Sequence, residues 1–464
     1  MPRLDWPVYD REDGRARMNE PEPTLAERLV ALMDHLGITS AYMAAQMAGD
    51  VVGLVEAAPD RIAGLVLCVP SRLDPPALAP VADRLLLIGA EHGLSAAVTA
   101  RGAMMLPGAA REVLQGYDAP GWADVMADHG DSVVRAIERT PNWRDAPIPT
   151  ELSGRSGVHA GISWRASGQG PVLLLFPFFL APSQWFPALD ALAGLFTTIL
   201  VGGRHVGGVA ALEDRARSPS YVSMVETLFE RLGVGACQTV LDVGCGSGAL
   251  DRLLASRHAP RAAVTATDVN AFMLAEAASI ATGEGLADRI IFREGNAEVL
   301  PFPDATFDCA FSVTVLEECD ADRALAEMMR VVRPGGRVGV IVRAIDLPQF
   351  WHLDLPEAMR RKVNTPPQSV GALGVADASL YRRMRRAGFE TVRGFPALVT
   401  LNDPLGPIWR FREDHALSLL DAEETVTWRR LSDAARRDGS LFQSHAMHCA
   451  VGTRPAQPGA AGLG

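Results

Sequence analysis

Six cysteines are spread over 464 residues, and none falls in a CxxC pair. Cys68, Cys237, Cys245, Cys309, Cys319 and Cys449 therefore form neither a disulfide scaffold nor a zinc-binding pattern. Reduced thiols in a cytoplasmic protein fit that spacing. Apolar runs of membrane length are also missing: LIGAEHGLSAAVTARGAMML is broken by charges and a histidine well short of a span. The start, MPRLDWPVYDREDGRARMNE, is polar and lacks the apolar core of a signal peptide. Basic tracts are scarce, and the formal charge of -11 argues against a nucleic-acid partner. The short cluster YRRMRRAGF, 381–389, reads as one solvated helix face. What remains is a small-molecule partner, with neither nucleic acid nor membrane. Pairing with a second copy as a homodimer stays open.

What is present is an ordinary globular composition, 48% hydrophobic and 21% charged, in a chain long enough for two or three domains. Strand-like runs alternate with helical ones, which predicts α/β architecture with parallel sheets. In the first part, AYMAAQ, IAGLVLCVP, RLLLIGAE and TTILVGG read as strands, and LAERLVALMDHLG and FPALDALAGLF as helices. TPNWRDAPIPTELSGRSG, 140–157, reads as a linker or surface crossing. From 211 to 236 the chain enters a helix with Pro219 near its first turn. A clearer alternation begins at Thr239, and PGGR, 334–337, reads as a turn leading into a strand. The late SLFQSHAMHCAVGTR suits an edge or hairpin strand, and the tail QPGAAGLG a frayed end.

The stretch LDVGCGSGALDRLLA carries most of the chemical information. Gly244, Gly246 and Gly248 follow a strand and introduce a helix, permitting a tight turn and close approach of a ligand to bare backbone. The spacing is not the GxGxxG of a dinucleotide fold. Asp242 stands at the strand end, where a carboxylate can hold the loop or attract a cation. Asp268 ends the next strand and can accept both hydroxyls of a ribose, or cap the helix that follows. Asn296, in GNAE, can meet an adenine edge beside Ala297 or serve as a turn residue, and Phe272 or Met273 can cover the ring.

Together LDVGCGSG, TDVN, GNAEVLPFPDATFD, SVTVLEE and RVVRPGGR resemble a class I S-adenosylmethionine-dependent methyltransferase of the UbiE/MenG-like small-molecule group, over about 238–345. The resemblance implies a Rossmann-like domain in which Asp242 and the turn Gly244, Cys245, Gly246 and Gly248 cradle the methionine portion. It implies that Asp268 and Val269 meet the ribose, that Asn296, Ala297 and Glu298 lie at the adenine, and that Ser312 lines the same crevice. Tyr221 and Met224 precede the first strand, where this class often closes its site. Two departures stand out: Asn296 where aspartate is common, and Glu318 where a histidine often follows the first glutamate of SVTVLEE.

Methyl transfer needs an aligned acceptor and sometimes a base. Candidates are Glu317, Glu318, His352, Tyr381, His445 and His448, with Arg343, Trp351 and Arg382 as pocket residues. Glu317 and Glu318 read equally well as caps of the helix DADRALAEMM. No metal site is expected. His445, His448 and Cys449 invite one, but residues three apart on a strand point to opposite faces and no fourth ligand is evident.

The first 210 residues resemble an α/β-hydrolase, which gives the expected division into domains 1–210 and 211–464. Gln46 stands where the nucleophilic serine belongs, and Gly93 where the acid is common. His129 matches the histidine but has no triad to join. The order is also unusual: residues 162–208 resemble the early strands of that fold, so a permuted sheet joining both pieces is expected. His205 is a candidate pocket residue at the junction.

Overall fold

The computed structural model describes residues 23–118, 125–139, 145–149, 152–178, 181–258, 263–368, 370–402, 404 and 406–456. The polar start, part of the expected crossing at 140–157 and the QPGAAGLG tail lie outside the described residues.

The first half forms one mixed sheet from β1 (Ala41–Ala45), β2 (Ile62–Cys68), β3 (Leu85–Ala90), β4 (Ala110–Leu114), β5 (Ser156–His159), β6 (Ile162–Ser167), β7 (Val172–Leu175) and β8 (Thr197–Gly202). Its order is β4-β3-β2-β1-β7-β8-β6-β5. The chain-early and chain-late pieces meet at β1 and β7, which run parallel with Met43 opposite Leu174. They are thus a single sheet, with apolar clusters on both faces, one around Leu29, Leu67 and Phe176 and the other around Val66, Ile88 and Trp185. β2, IAGLVLC, is buried along its whole length, as a strand covered on both sides must be.

The second half forms a separate sheet from β9 (Val240–Val243), β10 (Val264–Asp268), β11 (Ile290–Glu294), β12 (Phe307–Val313), β13 (Val332–Arg343), β14 (Phe350–Trp351), β15 (Glu390–Leu401) and β16 (Gln443–Thr453). The order is β11-β10-β9-β12-β13-β16-β14, with β15 also paired to β16. From β9 the chain winds outward through β10 and β11, then returns to lay β12 on the other side. The carboxyl ends of β9 and β12 therefore flank a topological switch point, where open α/β sheets bind ligands.

Three details differ from the sequence reading. PGGR is not a turn ahead of a strand: β13 already begins at Val332 and runs through it, with a register shift against β12 that absorbs the extra residues. β16 is not an edge: it lies between β13 and β15, antiparallel to both. The segment before β9 holds two helices, Gly207–Arg217 and Pro219–Leu232, broken at Ser218 because Pro219 cannot continue the first.

The seam between the halves is polar. The Gly203 N–H donates to Glu276 Oε1 at 2.7 Å, and the Gly207 N–H to Asp50 Oδ1 at 3.3 Å. Arg204 pairs with Glu284. His205 packs against Gly161 here, and burial with the charges of Arg28, Arg217 and Arg204 pulls its pKa down to about 3. The short linker 203–206 is thereby tied to the second half through Glu276 and Glu284, and the head of the next helix to the first half through Asp50.

Candidate active site

The glycine turn starts where β9 ends. Gly244, Gly246 and Gly248 all adopt positive φ. A Cβ at Gly244 would collide with the Val315 side chain, and one at Gly248 would come within 3.0 Å of the Phe292 ring, so glycine is required at both. Gly244 and Cys245 donate their N–H groups to the Thr267 carbonyl at 2.7 and 2.8 Å, and Gly246 donates to Asp268 Oδ2 at 2.9 Å. Asp268 therefore braces the turn, while its Oδ1 accepts from Asn270 N–H. The cap of the following helix is Asn270, whose side chain accepts from Phe272 and Met273.

A second brace comes from the helix Gly207–Arg217. Its Glu213, 4% exposed, accepts from Ser247 Oγ at 2.6 Å and from Arg252 Nη2 at 2.5 Å, and Arg252 also donates to the Ser247 carbonyl at 2.7 Å. This buried ion pair has its remaining hydrogen bonds satisfied, the condition under which such pairs hold geometry. Sequence reasoning missed Glu213, Asp251 and Arg252. The signal for Asp251 and Arg252 was the charged Asp–Arg pair in the otherwise apolar helix GALDRLLA.

Below the turn the carboxyls of Asp242 and Asp251 lie against each other. Burial, then Asp251 and Asp268, push Asp242 well above the carboxylate range. Burial pushes Asp251 to about 7 despite Arg252. Such a pair gains most from a cation. A methionine ammonium matches that need, bare backbone faces the same space, and Asp268 offers acceptor capacity beside it, so these residues fit S-adenosylmethionine.

Beyond β12 the chain delivers Glu317, 1% exposed. Its Oε1 accepts the Arg343 N–H at 2.8 Å, and its Oε2 has no hydrogen-bond partner among the described residues. Burial raises its pKa to about 7, the Arg343 N–H opposing. Glu317 does not cap the next helix; Asp320 does, accepting from Asp322 and Arg323. Glu318 points outward, with 67% of its side chain exposed. Tyr221, on the helix Pro219–Leu232, is buried with its hydroxyl unpartnered among the described residues. Burial raises its pKa, with Arg215 opposing and the charges of Asp242 and Glu317 adding to the effect. The Arg215 guanidinium stacks 5.0 Å from the Tyr221 ring.

β16 sends its histidines to opposite faces. His445 Nδ1 donates to Gln443 Oε1 at 3.1 Å, and its Nε2 meets Arg412 Nη2 at 3.2 Å. His448 faces the other side, between Asp346 Oδ1 at 2.8 Å and the Tyr381 hydroxyl at 3.2 Å. Tyr381 and His448 line a cleft of about 310 Å³ with Leu347 and Phe395. The five catalytic candidates do not converge: Glu317 lies beside the Arg343 N–H, His445 against Arg412, Tyr381 and His448 together line the cleft on the other face of β16, and Glu318 is exposed.

Of the other residues, Ser312 Oγ donates to the Val243 carbonyl at 2.7 Å, tying β12 to β9. Asn296 Oδ1 accepts the Glu298 N–H, forming the turn after β11, and Glu298 in turn accepts from Asp320 N–H. Ala297 is 9% exposed and Val269 68%. Trp351 packs edge-on to Trp409 and Trp428. His352 stacks on Phe442. Arg382 is exposed. Among the described residues no group of three or more His, Cys, Asp or Glu side chains could hold a metal, and no helix is long and apolar enough to cross a membrane.

Residues 241–340 match the methyltransferase domain family. The chain is 29% identical to O-methyltransferase resE of Aspergillus sclerotiorum over 235 residues, 50% of this chain and 83% of that one. It is 40% identical to the ubiquinone/menaquinone biosynthesis C-methyltransferase UbiE of Hahella chejuensis over 183 residues, 37% of this chain and 66% of that one. A solved geranyl diphosphate methyltransferase in complex with SAM is similar over 50% of this chain and 84% of its own, at 21% identity and a TM-score of 0.31.

Proposed function

The second half of this chain is a class I S-adenosylmethionine-dependent methyltransferase, an enzyme acting on a small molecule, and we propose that Glu317 is the base that takes the acceptor's proton. The observation that carries this reading is the half-satisfied carboxyl: Oε1 is fixed by the Arg343 N–H, while Oε2 is buried and unpaired. A pKa near 7 gives such a group both a useful ionised fraction and real basicity.

S-adenosylmethionine, when bound, supplies a methyl group already activated on a positive sulfur. Asp242 with Asp251 would hold its ammonium, Asp268 and Val269 its ribose, and Asn296, Ala297 and Glu298 would border its adenine. Gly244, Cys245, Gly246 and Gly248 let it approach the backbone, over the β9–β12 floor that Ser312 ties together. Tyr221, buried on the helix ahead of β9, would help to keep water from the site. The acceptor's O, N or C atom would gain the methyl as the sulfur–methyl bond breaks and a neutral thioether leaves, and Glu317 Oε2 would take the acceptor's proton. Glu317 serves this role better than Glu318, which lies in solvent, or Tyr381 and His448, which lie across the sheet.

The first half we infer to be a permuted α/β-hydrolase-like unit without hydrolytic chemistry. The β1–β7 junction supports the permutation. Gln46 follows β1 at the strand-to-helix turn, 4% exposed, with its amide nitrogen 3.4 Å from the Val69 carbonyl. An amide cannot act as a nucleophile there. Gly93 and His129, which rests edge-on against Tyr117, offer no acid–base pair to it.

The test is incubation of the full chain with isotopically labelled S-adenosylmethionine and a cell extract of small molecules. A labelled product is expected from the wild type and far less of it from Glu317→Gln, while both bind the cofactor. Equal turnover by the variant would remove Glu317 from the reaction.

A further inference from the structure

We propose that Arg215, Arg343, Arg412 and His445 form an oxyanion subsite beside Glu317, so that the methyl acceptor carries a carboxylate or phosphate group. The inference rests on the methyl-transfer reading of the adjacent site and adds the substrate's chemical class.

Arg412 is the central observation. It lies in the helix Pro407–Ser418, is 8% exposed, and its side chain makes a single hydrogen bond among the described residues, to His445 Nε2. Its Nε is buried with no partner among the described residues. Other buried arginines of this protein behave differently. Arg84, 2% exposed, donates to the Ile62, Pro59 and Pro80 carbonyls and pairs with Asp83. Arg252 has Glu213, Glu284 and the Ser247 carbonyl. An arginine that holds structure collects oxygens; Arg412 has none among the described residues. A buried cation without an anion is costly, and it is kept where a ligand brings the missing charge.

The neighbours reinforce this. His445 Nδ1 faces the Gln443 amide oxygen, which selects the Nδ1–H tautomer and leaves Nε2 to accept from Arg412. His445 is then a neutral positioning residue for the guanidinium. Arg215, on the packed helix Gly207–Arg217, has its Nε buried and unpartnered among the described residues, and its guanidinium lies over Tyr221. The two helices are joined by Asp214, which accepts the Ile408 N–H at 3.1 Å. Arg343 Nε stands 3.6 Å from Glu317 Oε1 and its Nη2 3.7 Å from Glu318 Oε1, so it links the cationic group to the proposed base. The mutual proximity is felt electrostatically: burial, Arg343 and Arg215 pull Arg412 down to about 10, and burial with all three arginines holds His445 well below its usual range. Planar guanidinium forks suit carboxylate and phosphate oxygens alike.

The experiment titrates benzoate and, separately, inorganic phosphate into the full chain, with S-adenosylhomocysteine absent and present. Wild-type protein should bind at least one anion, and the ratio of the two affinities assigns carboxylate or phosphate. Arg412→Gln should weaken that binding about tenfold or more while S-adenosylhomocysteine affinity stays within about twofold. Its melting temperature without anion should hold or rise, since an uncompensated charge is removed, whereas loss of a structural arginine lowers it. Arg215→Gln gives the same anion readout if the first variant does not fold. Protein that binds the cofactor product but neither anion, or variants that bind anions as the wild type does, would overturn the subsite. Protein that binds anions but not S-adenosylhomocysteine would uphold it and defeat the methyl-transfer reading instead.

Discussion

The two sheets present the same local device in two conditions. In each, a strand runs into a sharp turn and a helix: β1 into Gln46 and the helix Gly49–Ala57, β9 into Gly244 and the helix Ala249–Arg257. At the first turn an amide fills the space and leans on a carbonyl. At the second, glycines let Val315 and Phe292 pack against the turn, and the carboxyls Asp242, Asp251, Asp268 and Glu317 stand at or after the strand ends, three of them with pKa values raised by burial. Strand order alone does not give chemistry. Ionisable groups held out of water at the strand ends do, and their cost to stability marks the half that works.

The largest test of that contrast is Glu317→Gln. Loss of a positioned base lowers turnover by about 10²–10⁴-fold, measured as labelled product per enzyme at saturating cofactor. In the wild type, kcat/KM should rise with pH through about 7 as Glu317 ionises, and the variant's residual rate should lose that rise. Asp268→Ala comes next. It removes both the acceptor for Gly246 N–H and the proposed ribose contact, so cofactor affinity should fall about 100-fold by calorimetric titration. Unchanged affinity would defeat the ribose assignment.

Stability should carry the same signature. The folded pKa of Glu317 lies above the unfolded value of 4.5, so the folded chain holds the extra proton between 4.5 and about 7. Stability contributed at this position therefore falls as pH rises across that window, and the full cost, about 3 kcal/mol, is present above it. Glu317→Gln should be no more stable than wild type at pH below 4.5 and progressively more stable toward pH 8, by denaturant melts of the cofactor-free chain.

Much of this site was legible because its parts lie close in sequence. The strand-turn-helix at Val240–Arg257 and the acid ending β10 follow from local pattern and glycine spacing. The parts that escaped notice are long-range. Glu213 reaches Ser247 and Arg252 across 34 and 39 residues, and Arg412 reaches His445 across 33, pairings that no periodicity encodes. β16 reads as an edge because SHAMHCAVG alternates, yet β13 and β15 cover both its sides. The union of the two early pieces into one sheet was readable for the opposite reason: each piece kept the apolar runs of buried strands, and two incomplete sheets leave edges that pairing β1 with β7 removes.

The seam should show a smaller effect. Glu276→Ala strips the acceptor from Gly203 N–H and should cost about 1–3 kcal/mol in denaturant melts. The same variant should also weaken cofactor binding modestly. The linker that Glu276 holds leads directly into the helix bearing Glu213, which braces the glycine turn. A full loss of stability with no change in cofactor affinity would show that the two halves share a wall but not a function.

The smallest change should come from the first turn itself. Gln46→Ala removes one long hydrogen bond to Val69 and an amide whose Oε1 had no partner among the described residues, so methyl transfer should stay within about twofold. Gln46→Ser restores the residue type a hydrolase would need but not the machinery. No ester cleavage above buffer is expected, because Gly93 supplies no acid and His129 sits against Tyr117. A large fall in methyl transfer from Gln46→Ala, with folding intact, would break the division of labour between the sheets: the silent turn would then be shaping the active one through Asp50, four residues on, which accepts the Gly207 N–H at the head of the Glu213 helix.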